Sequence, residues 1–421
     1  MERRDLHNAS LNVVGEGLWG LQVGMIASAT VLTVLLRKLG AGETQIGLIP
    51  AMEGGLTVLP QLAGVYLFAN RRNRRRSLVI WHWAAVIPFL FVNALLVWAA
   101  PRLTATAVRW GLLASFACFN LTIGVIVSVW LDWLAHLFHT GIRGTVMGVS
   151  FCSSAFLGVG GSLLAGRLLY RSPDTTTYAL LYGLSGIIAL VSLACFWFVQ
   201  DPAEQEREDT VRPRTRDLLE RFRTSLAQQN FRAFLVGRLL AVAGFCILPF
   251  VAVYYQSVAG GGLSAPAIVT SGAALTFGTA LAHLALGRLG DRHGHRWGVL
   301  IGATAQVAAL VAMLSLPGQW GCLLTYFLAG VCASAGFLSH SNMVIETCPH
   351  DHRLAHITVA NLVLAIPLLT FPALSGVIAK AWGLQRLFTL SLVLSALAFL
   401  WCLTRVKDPR DVDLLEAAPR V

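Results

Sequence analysis

Gly287-Arg288-Leu289-Gly290-Asp291-Arg292-His293-Gly294-His295-Arg296 is a short polar loop between two long apolar runs, roughly residues 266–287 and 297–316. A bilayer core about 30 Å thick takes about 20 apolar residues to cross as a helix, so this loop cannot make the crossing. The two flanking runs must be antiparallel neighbours joined by a tight connection on one side of a membrane.

The rest of the chain repeats that pattern. Of its 421 residues 56% are hydrophobic and 13% charged, with a mean hydropathy of +0.67; soluble domains carry about 25% charge. Apolar runs predict twelve spanning helices, near 10–36, 44–69, 77–100, 105–135, 143–169, 178–199, 231–257, 266–287, 297–316, 320–347, 354–380 and 384–405. An even number puts both termini on one side. The loops and tails of that side hold 23 Lys and Arg against 8 on the other, which by the positive-inside rule places both termini in the cytoplasm and the chain in the cytoplasmic (inner) membrane. The net charge of +11 then records topology and lipid contact rather than nucleic-acid binding. Arg71, Arg72, Arg74, Arg75 and Arg76, lying between two spans, read as a headgroup anchor. The first apolar run is too long for a cleavable signal. The eight cysteines have no paired metal-site spacing and read as small packing residues.

Two halves echo each other. Asn8 and Val14-Gly15 recur as Asn230 and Val236-Gly237 at the entrances of the first and seventh spans. Val199-Gln200-Asp201-Pro202 recurs as Val406-Lys407-Asp408-Pro409 after the sixth and twelfth. Arg143 and Arg353 each open the fifth span of their half. The polar stretch 200–230 places Leu218, Leu219, Phe222 and Leu226 at helical spacing and reads as an amphipathic surface helix. The expected organisation is a six-helix bundle over 1–199, a cytoplasmic linker over 200–230, a second bundle over 231–405 and a cytoplasmic tail over 406–421.

The loop spacing G-x-x-x-D-R-x-G-[basic]-R, with the six-plus-six repeat, resembles the signature loop and architecture of the major facilitator superfamily. Pro60-Gln61-Leu62 with the arginine run is similar to a bacterial branch of it. The resemblance implies an all-α polytopic fold of twelve transmembrane helices in two pseudo-symmetric bundles, with a substrate site where they face each other. It also implies a conformational switch: Asp291 capping the start of the fifth span near Arg143 and Gly144, where free N–H groups favour a negative charge. Gly287 and Gly294 would permit the turn, and Arg292 and Arg296 would pair with carboxylates or phosphates. The first-half copy of the loop, Asn70-Arg71-Arg72-Asn73-Arg74-Arg75-Arg76, lacks the aspartate. The fourth span has Asn120-x-x-x-Gly124 where the superfamily's proton-driven drug exporters have Arg-x-x-x-Gly. Gly158-x-Gly160-Gly161 in the fifth lacks their proline. Both departures count against a simple drug/proton antiporter.

Ionisable groups inside a span cost about 2.5–3.5 kcal/mol, so each is a site candidate. Glu16 and Arg238 each lie about 9–11 Å in from the cytoplasmic ends of the first and seventh spans at 1.5 Å per residue. As pseudo-symmetric partners they form a candidate pair across the cavity: a gate, coupling site or substrate ligand, or else a static pair. Glu53, beside Gly54-Gly55 in the second span, is a candidate coupling acid or a neutral helix-contact acid. Gln22, Asn120, Tyr254 and Asn361 are further polar candidates, each also readable as an interhelical hydrogen bond. Asp132 suits a bridge to the arginine run, and Glu346 a bridge to Arg288 or Arg292 at the switch. His350, His352 and His356 beside Cys348 fit no zinc spacing, so no metal and no cofactor is expected.

These readings predict a secondary active transporter carrying a small hydrophobic, amphiphilic or weakly charged solute by alternating access, coupled to protons or another ion. Its partners are that solute and the lipid bilayer, with no nucleic acid, and it acts as a monomer. The alternative is a lipid-handling (flippase-like) or non-transporting sensor protein on the same fold. A membrane enzyme is not expected, because G-x-S-x-G, H-x-x-x-x-D and H-E-x-x-H are all missing from the spans and their edges.

Overall fold

In a computed structural model, residues 3–68, 73–138, 140–201, 226–347 and 353–411 are described. Among them every regular element is helical. The long helices are Arg3–Lys38, Arg74–Trp98, Ala105–Leu137, Thr140–Arg171, Thr175–Trp197, Gln229–Gln256, Ala265–His293, Arg296–Ser315, Gln319–Glu346, Arg353–Trp382 and Leu384–Arg405. These are the first and the third to twelfth in chain order.

The second helix is broken into Glu43–Ala51, a π-helical turn Met52–Leu56, and Gln61–Phe68. Proline lacks an N–H and its ring clashes with the preceding turn; Pro50 and Pro60 bracket the disturbed stretch. Among the described residues 11 helices are long and apolar enough to span, and the broken second is the twelfth of the fold. Two more π-helical turns lie in the first bundle, at Ser28–Leu32 in the first helix and at His82–Val86, ahead of Pro88, in the third.

Helices one to six and seven to twelve form two bundles. They meet where the second helix packs on the eleventh and the fifth on the eighth. Lipid is as apolar as a protein core, so such contacts rest on close packing of small residues. Gly47 and Gly376 face each other across the second–eleventh contact. A Cβ on Gly47 would lie 2.7 Å from the Pro372 carbonyl oxygen and 2.8 Å from the Gly376 Cα. Within the first bundle, Gly17, Gly20 and Gly24 bring the first helix against Ser153, Ser154 and Gly158 of the fifth.

The apolar cores differ between the two faces of the molecule. On the face away from the termini, Met25, Leu35 and Ile49 of the first bundle share one continuous core with Phe250, Tyr326 and Phe388 of the second. The Tyr326 hydroxyl donates across the bundles to the Ala29 carbonyl at 3.3 Å. On the terminal face each bundle has its own core, around Val79, Trp133 and Phe196 in one and around Phe231, Phe234 and Met343 in the other. The molecule is therefore sealed on the far face and parted on the terminal face.

The sequence echoes of the two halves turn out to touch. The Asn8 side chain donates to the Gln200 carbonyl at 2.8 Å and accepts from the Gln200 N–H at 2.9 Å. Asn230 does the same with Lys407, at 3.1 and 2.9 Å. Arg75 donates to the Val199 carbonyl and Arg296 to the Val406 carbonyl. A helix end leaves its last carbonyls without partners. In each bundle an asparagine from the first helix and an arginine following the second supply those partners to the segment that closes the sixth. The expected linker helix lies almost wholly outside the described residues, which omit 202–225.

Candidate functional site

The signature loop is shorter than its sequence implies, because the eighth helix continues to His293 and the ninth starts at Arg296. Gly294 turns the chain at φ +89°, a left-handed conformation that favours glycine. A Cβ there would also lie 2.8 Å from the Asp408 Oδ1, and closer still to Oδ2. Asp408 accepts from the Arg296 backbone N–H at 3.3 Å, at the free N-terminus of the ninth helix. Arg296 donates through Nε to Val406 at 2.7 Å and through a terminal nitrogen to Leu403 at 2.8 Å. The loop is thus fastened to the tail of its own bundle.

Among the described residues the switch contact expected of Asp291 is not made. Asp291 and Arg292 are exposed, and the described contact at Asp291 is its backbone carbonyl, accepting from Arg410 at 3.1 Å. A Cβ on Gly144, at the start of the fifth helix, would meet nothing within 4 Å. That separation matches the parted terminal face. Gly287 only approaches Leu338, at 3.9 Å from a built Cβ. Glu346 differs from expectation in its partners: it bridges to Arg410 at 3.1 Å and lies 3.7 Å from His295, rather than meeting Arg288 or Arg292. The tail after Asp408-Pro409 folds back under the loop and brings Arg410 in first. Asp132 pairs with Arg74 at 2.6 Å and with His136 at 3.4 Å, as the arginine run suggested.

Glu16 and Arg238 are not brought together. Glu16 accepts from the Trp130 indole N–H at 3.4 Å inside the first bundle, while Arg238 donates to the Gly336 carbonyl at 3.3 Å inside the second. Among the described residues no ion pair joins them, so each charge stands alone in its own bundle. The tenth helix connects their surroundings, since Phe337, next to Gly336, lines the cavity that holds Glu16.

Glu53 sits in the π-helical turn of the second helix and accepts from the Ser28 hydroxyl at 2.6 Å, Ser28 opening the π-helical turn of the first. Such turns concentrate at functional sites. Ten residues from the helix start at Glu43 put Glu53 about 15 Å deep, close to mid-bilayer. Its side chain is nevertheless exposed.

Among the polar candidates, Asn120 accepts from Thr57 at 3.2 Å and donates to Phe116 at 2.8 Å; with the Ser128–Gln61 bond at 3.0 Å it forms a polar seam between the second and fourth helices. Gln22 is fully buried and its side-chain amide has no partner among the described residues. Tyr254 packs edge-on against Tyr255 and Phe388 in the far-face seal. Asn361 is half-buried on the eleventh helix. Cys348, His350 and His352 lie outside the described residues, as does the side chain of His356.

Sequence reasoning missed the aromatic surroundings of Glu16: Trp19, His82, Trp130 and Phe196, from four different helices. No local spacing links them. The Asp408 clasp had a signal in the repeated Asp-Pro pair, but its partner is 112 residues away in sequence.

Two six-helix bundles, sealed at one face and parted at the other, each with a half-buried charge of its own, define a polytopic helical membrane protein with a secondary-transporter fold. The chain matches the family model of the Major Facilitator Superfamily over residues 15–278 and 262–420, and it belongs to that superfamily, one of transporters rather than enzymes. No curated protein matches it in sequence. Among solved structures it is similar to the xylose transporter XylE from E. coli in an inward-open conformation (15% identity, 97% of this chain and 98% of that one, TM-score 0.68). It is also similar to a bacterial homologue of the human lysosomal transporter Spinster, inward-facing and unoccupied (14%, 96% and 98%, 0.66). A third is the nucleoside transporter NupG (14%, 95% and 100%, 0.69). At these identities the likeness is one of fold.

Proposed function

We propose that this protein moves a small amphiphilic solute across the cytoplasmic membrane by alternating access, coupled to protons or another ion. The observation that carries the reading is the pairing of a common core on the far face with separate cores on the terminal face. Bundles packed in this way can rock about a central site. With the termini in the cytoplasm, as the charge asymmetry predicts, the state is inward-open, and Asp291 re-engages the fifth helix when that face closes. Residues 1–199 and 231–405 are the two moving bodies, joined by 200–230, and the protein works as a monomer.

Glu53 is the coupling acid in this reading. It lies near mid-membrane, is exposed, and has a hydroxyl partner on a neighbouring distorted turn. Glu16 and Arg238 contact the solute from opposite bundles, and half-buried Asn361 is a further polar group available to it. Asn120 and Tyr254 serve packing in this state. Purified protein in proteoliposomes tests the assignment. Glu53→Gln abolishes ion-driven accumulation while leaving downhill exchange, whereas Glu16→Gln and Arg238→Ala lower both without lowering expression. Wild-type flux from all three variants would refute these roles.

A further inference from the structure

We propose that the cavity inside the first bundle binds the headgroup of an organic ammonium cation, with Glu16 as counter-ion and the rings of Trp19, His82, Trp130 and Phe196 as its walls. The role of this site in transport rests on the reading above, since it supplies the polar end of the amphiphilic solute; binding itself does not depend on that reading.

The cavity has a volume of about 230 Å³. Pockets that hold drug-sized ligands run to roughly 300–1,000 Å³, so this smaller space suits a headgroup whose apolar remainder extends into the opening between the bundles. Phe337 of the tenth helix, 54% exposed, stands at that mouth.

The rings form an unbroken edge-to-face series. Centroids lie 5.7 Å apart for Trp19–His82, 5.1 Å for His82–Trp130 and 4.7 Å for Trp130–Phe196. Aromatic faces carry negative potential, and a cation within about 6 Å of a ring centroid gains from it, most of all when desolvated. Among the described residues no lysine or arginine lines the cavity, and Glu16 is the one carboxylate there.

The hydrogen-bond inventory has the same sign. Three of the four side chains able to donate are already engaged: Trp130 with Glu16, Ser192 with the Gly15 carbonyl at 2.7 Å, and His82 Nδ1 with the Leu78 carbonyl at 2.8 Å. A carbonyl only accepts, so the His82 proton sits on Nδ1 and Nε2 is left as an acceptor. The Glu16–Trp130 bond, at 3.4 Å, is longer than a normal N–H···O contact and uses one of about four acceptor positions on the carboxylate. A site with acceptors open and every donor but the Trp19 indole occupied takes a cation or a donor in preference to an anion. A half-buried carboxylate inside a membrane span without a cationic partner is also costly, and a bound ammonium group offsets that cost.

Equilibrium binding to the purified full-length chain tests the site, with benzyltrimethylammonium as probe and neopentylbenzene as its uncharged isostere. Titration is read by calorimetry and by tryptophan fluorescence. The cation should bind saturably and at least tenfold more tightly than the isostere. Glu16→Gln should weaken the cation at least tenfold and leave the isostere unchanged, and Trp130→Phe should give a smaller loss. If Glu16→Gln does not fold, Phe337→Arg at the exposed mouth should weaken the cation through like-charge repulsion. Equal affinity for the two probes, or cation affinity indifferent to both Glu16→Gln and Phe337→Arg, overturns the proposal. Cation binding without flux in proteoliposomes would count against the transport reading and leave the site standing; flux without cation binding would do the reverse.

Discussion

Gly47→Ala should shift the balance between conformational states more than it weakens the fold. The added methyl would lie 2.7 Å from the Pro372 carbonyl oxygen and 2.8 Å from the Gly376 Cα. Carbon contacts are comfortable from about 3.5 Å, so the second and eleventh helices must part by roughly 0.7 Å. The obstructing atoms are backbone and cannot swing aside as a side-chain tip would. Overpacking of this kind costs about 1–3 kcal/mol. The cost falls on the far-face-sealed state alone, because the contact joins the two bundles and opens when they rock apart on that face. A bias of about 1–3 kcal/mol is about 5- to 150-fold in the equilibrium. Spin labels at Leu103 and Trp382, both exposed on the far face of opposite bundles, report it by electron–electron distance measurement. The distribution should gain a longer-distance population in Gly47→Ala. Gly20→Ala is the control: its methyl would meet the Ser154 backbone within the first bundle, so it should lower the melting temperature without moving the distances. An unchanged distribution in Gly47→Ala, with a stability loss like that of the control, would refute the assignment of this contact to one state.

The asparagine clasps yield a second test. Asn8→Ala and Asn230→Ala each remove two hydrogen bonds to the segment closing the last helix of a bundle, a loss of about 1–3 kcal/mol at about 0.5–1.5 kcal/mol per bond. Thermal unfolding in detergent should show comparable drops for the two variants and near-additive loss in the double variant, since the sites belong to different bundles; a neutral double variant would discount the clasps. Gly294→Ala forces a left-handed backbone on a residue with a Cβ and drives that Cβ into the Asp408 carboxylate. It should be destabilising by more than about 1 kcal/mol, and Gly287→Ala, whose Cβ has room, should be nearly silent by the same measurement.

Much of this architecture was legible in the sequence because membrane burial writes itself into composition. A helix must satisfy its own backbone hydrogen bonds in lipid, so spans appear as long apolar runs and loops as charged punctuation. Even the broken second helix had visible causes in Pro50 and Pro60. The Arg74–Asp132 bridge was foreseeable because both partners lie at the same membrane rim. The Glu16–Arg238 pair was not a safe inference. Pseudo-symmetry places two residues at equal depth, but it does not set the distance between bundles that move relative to each other. Glu346 illustrates the same limit at short range, where a tail arginine displaced the loop arginines as partner.

By itself, then, the sequence determined the number and direction of the helices, the twofold repeat, the side that carries the positive charge, and the turn that only Gly294 can make. Those are local or additive properties, set by hydropathy, charge count and backbone sterics. Only the tertiary structure decided that Asn8 and Asn230 close their bundles, that the far face is sealed while the terminal face is parted, and that Glu16 sits among four rings from four helices. Each of these depends on side chains distant in sequence meeting in space, and on which of two packings of the bundles is occupied. Neither is encoded in any single stretch of the chain.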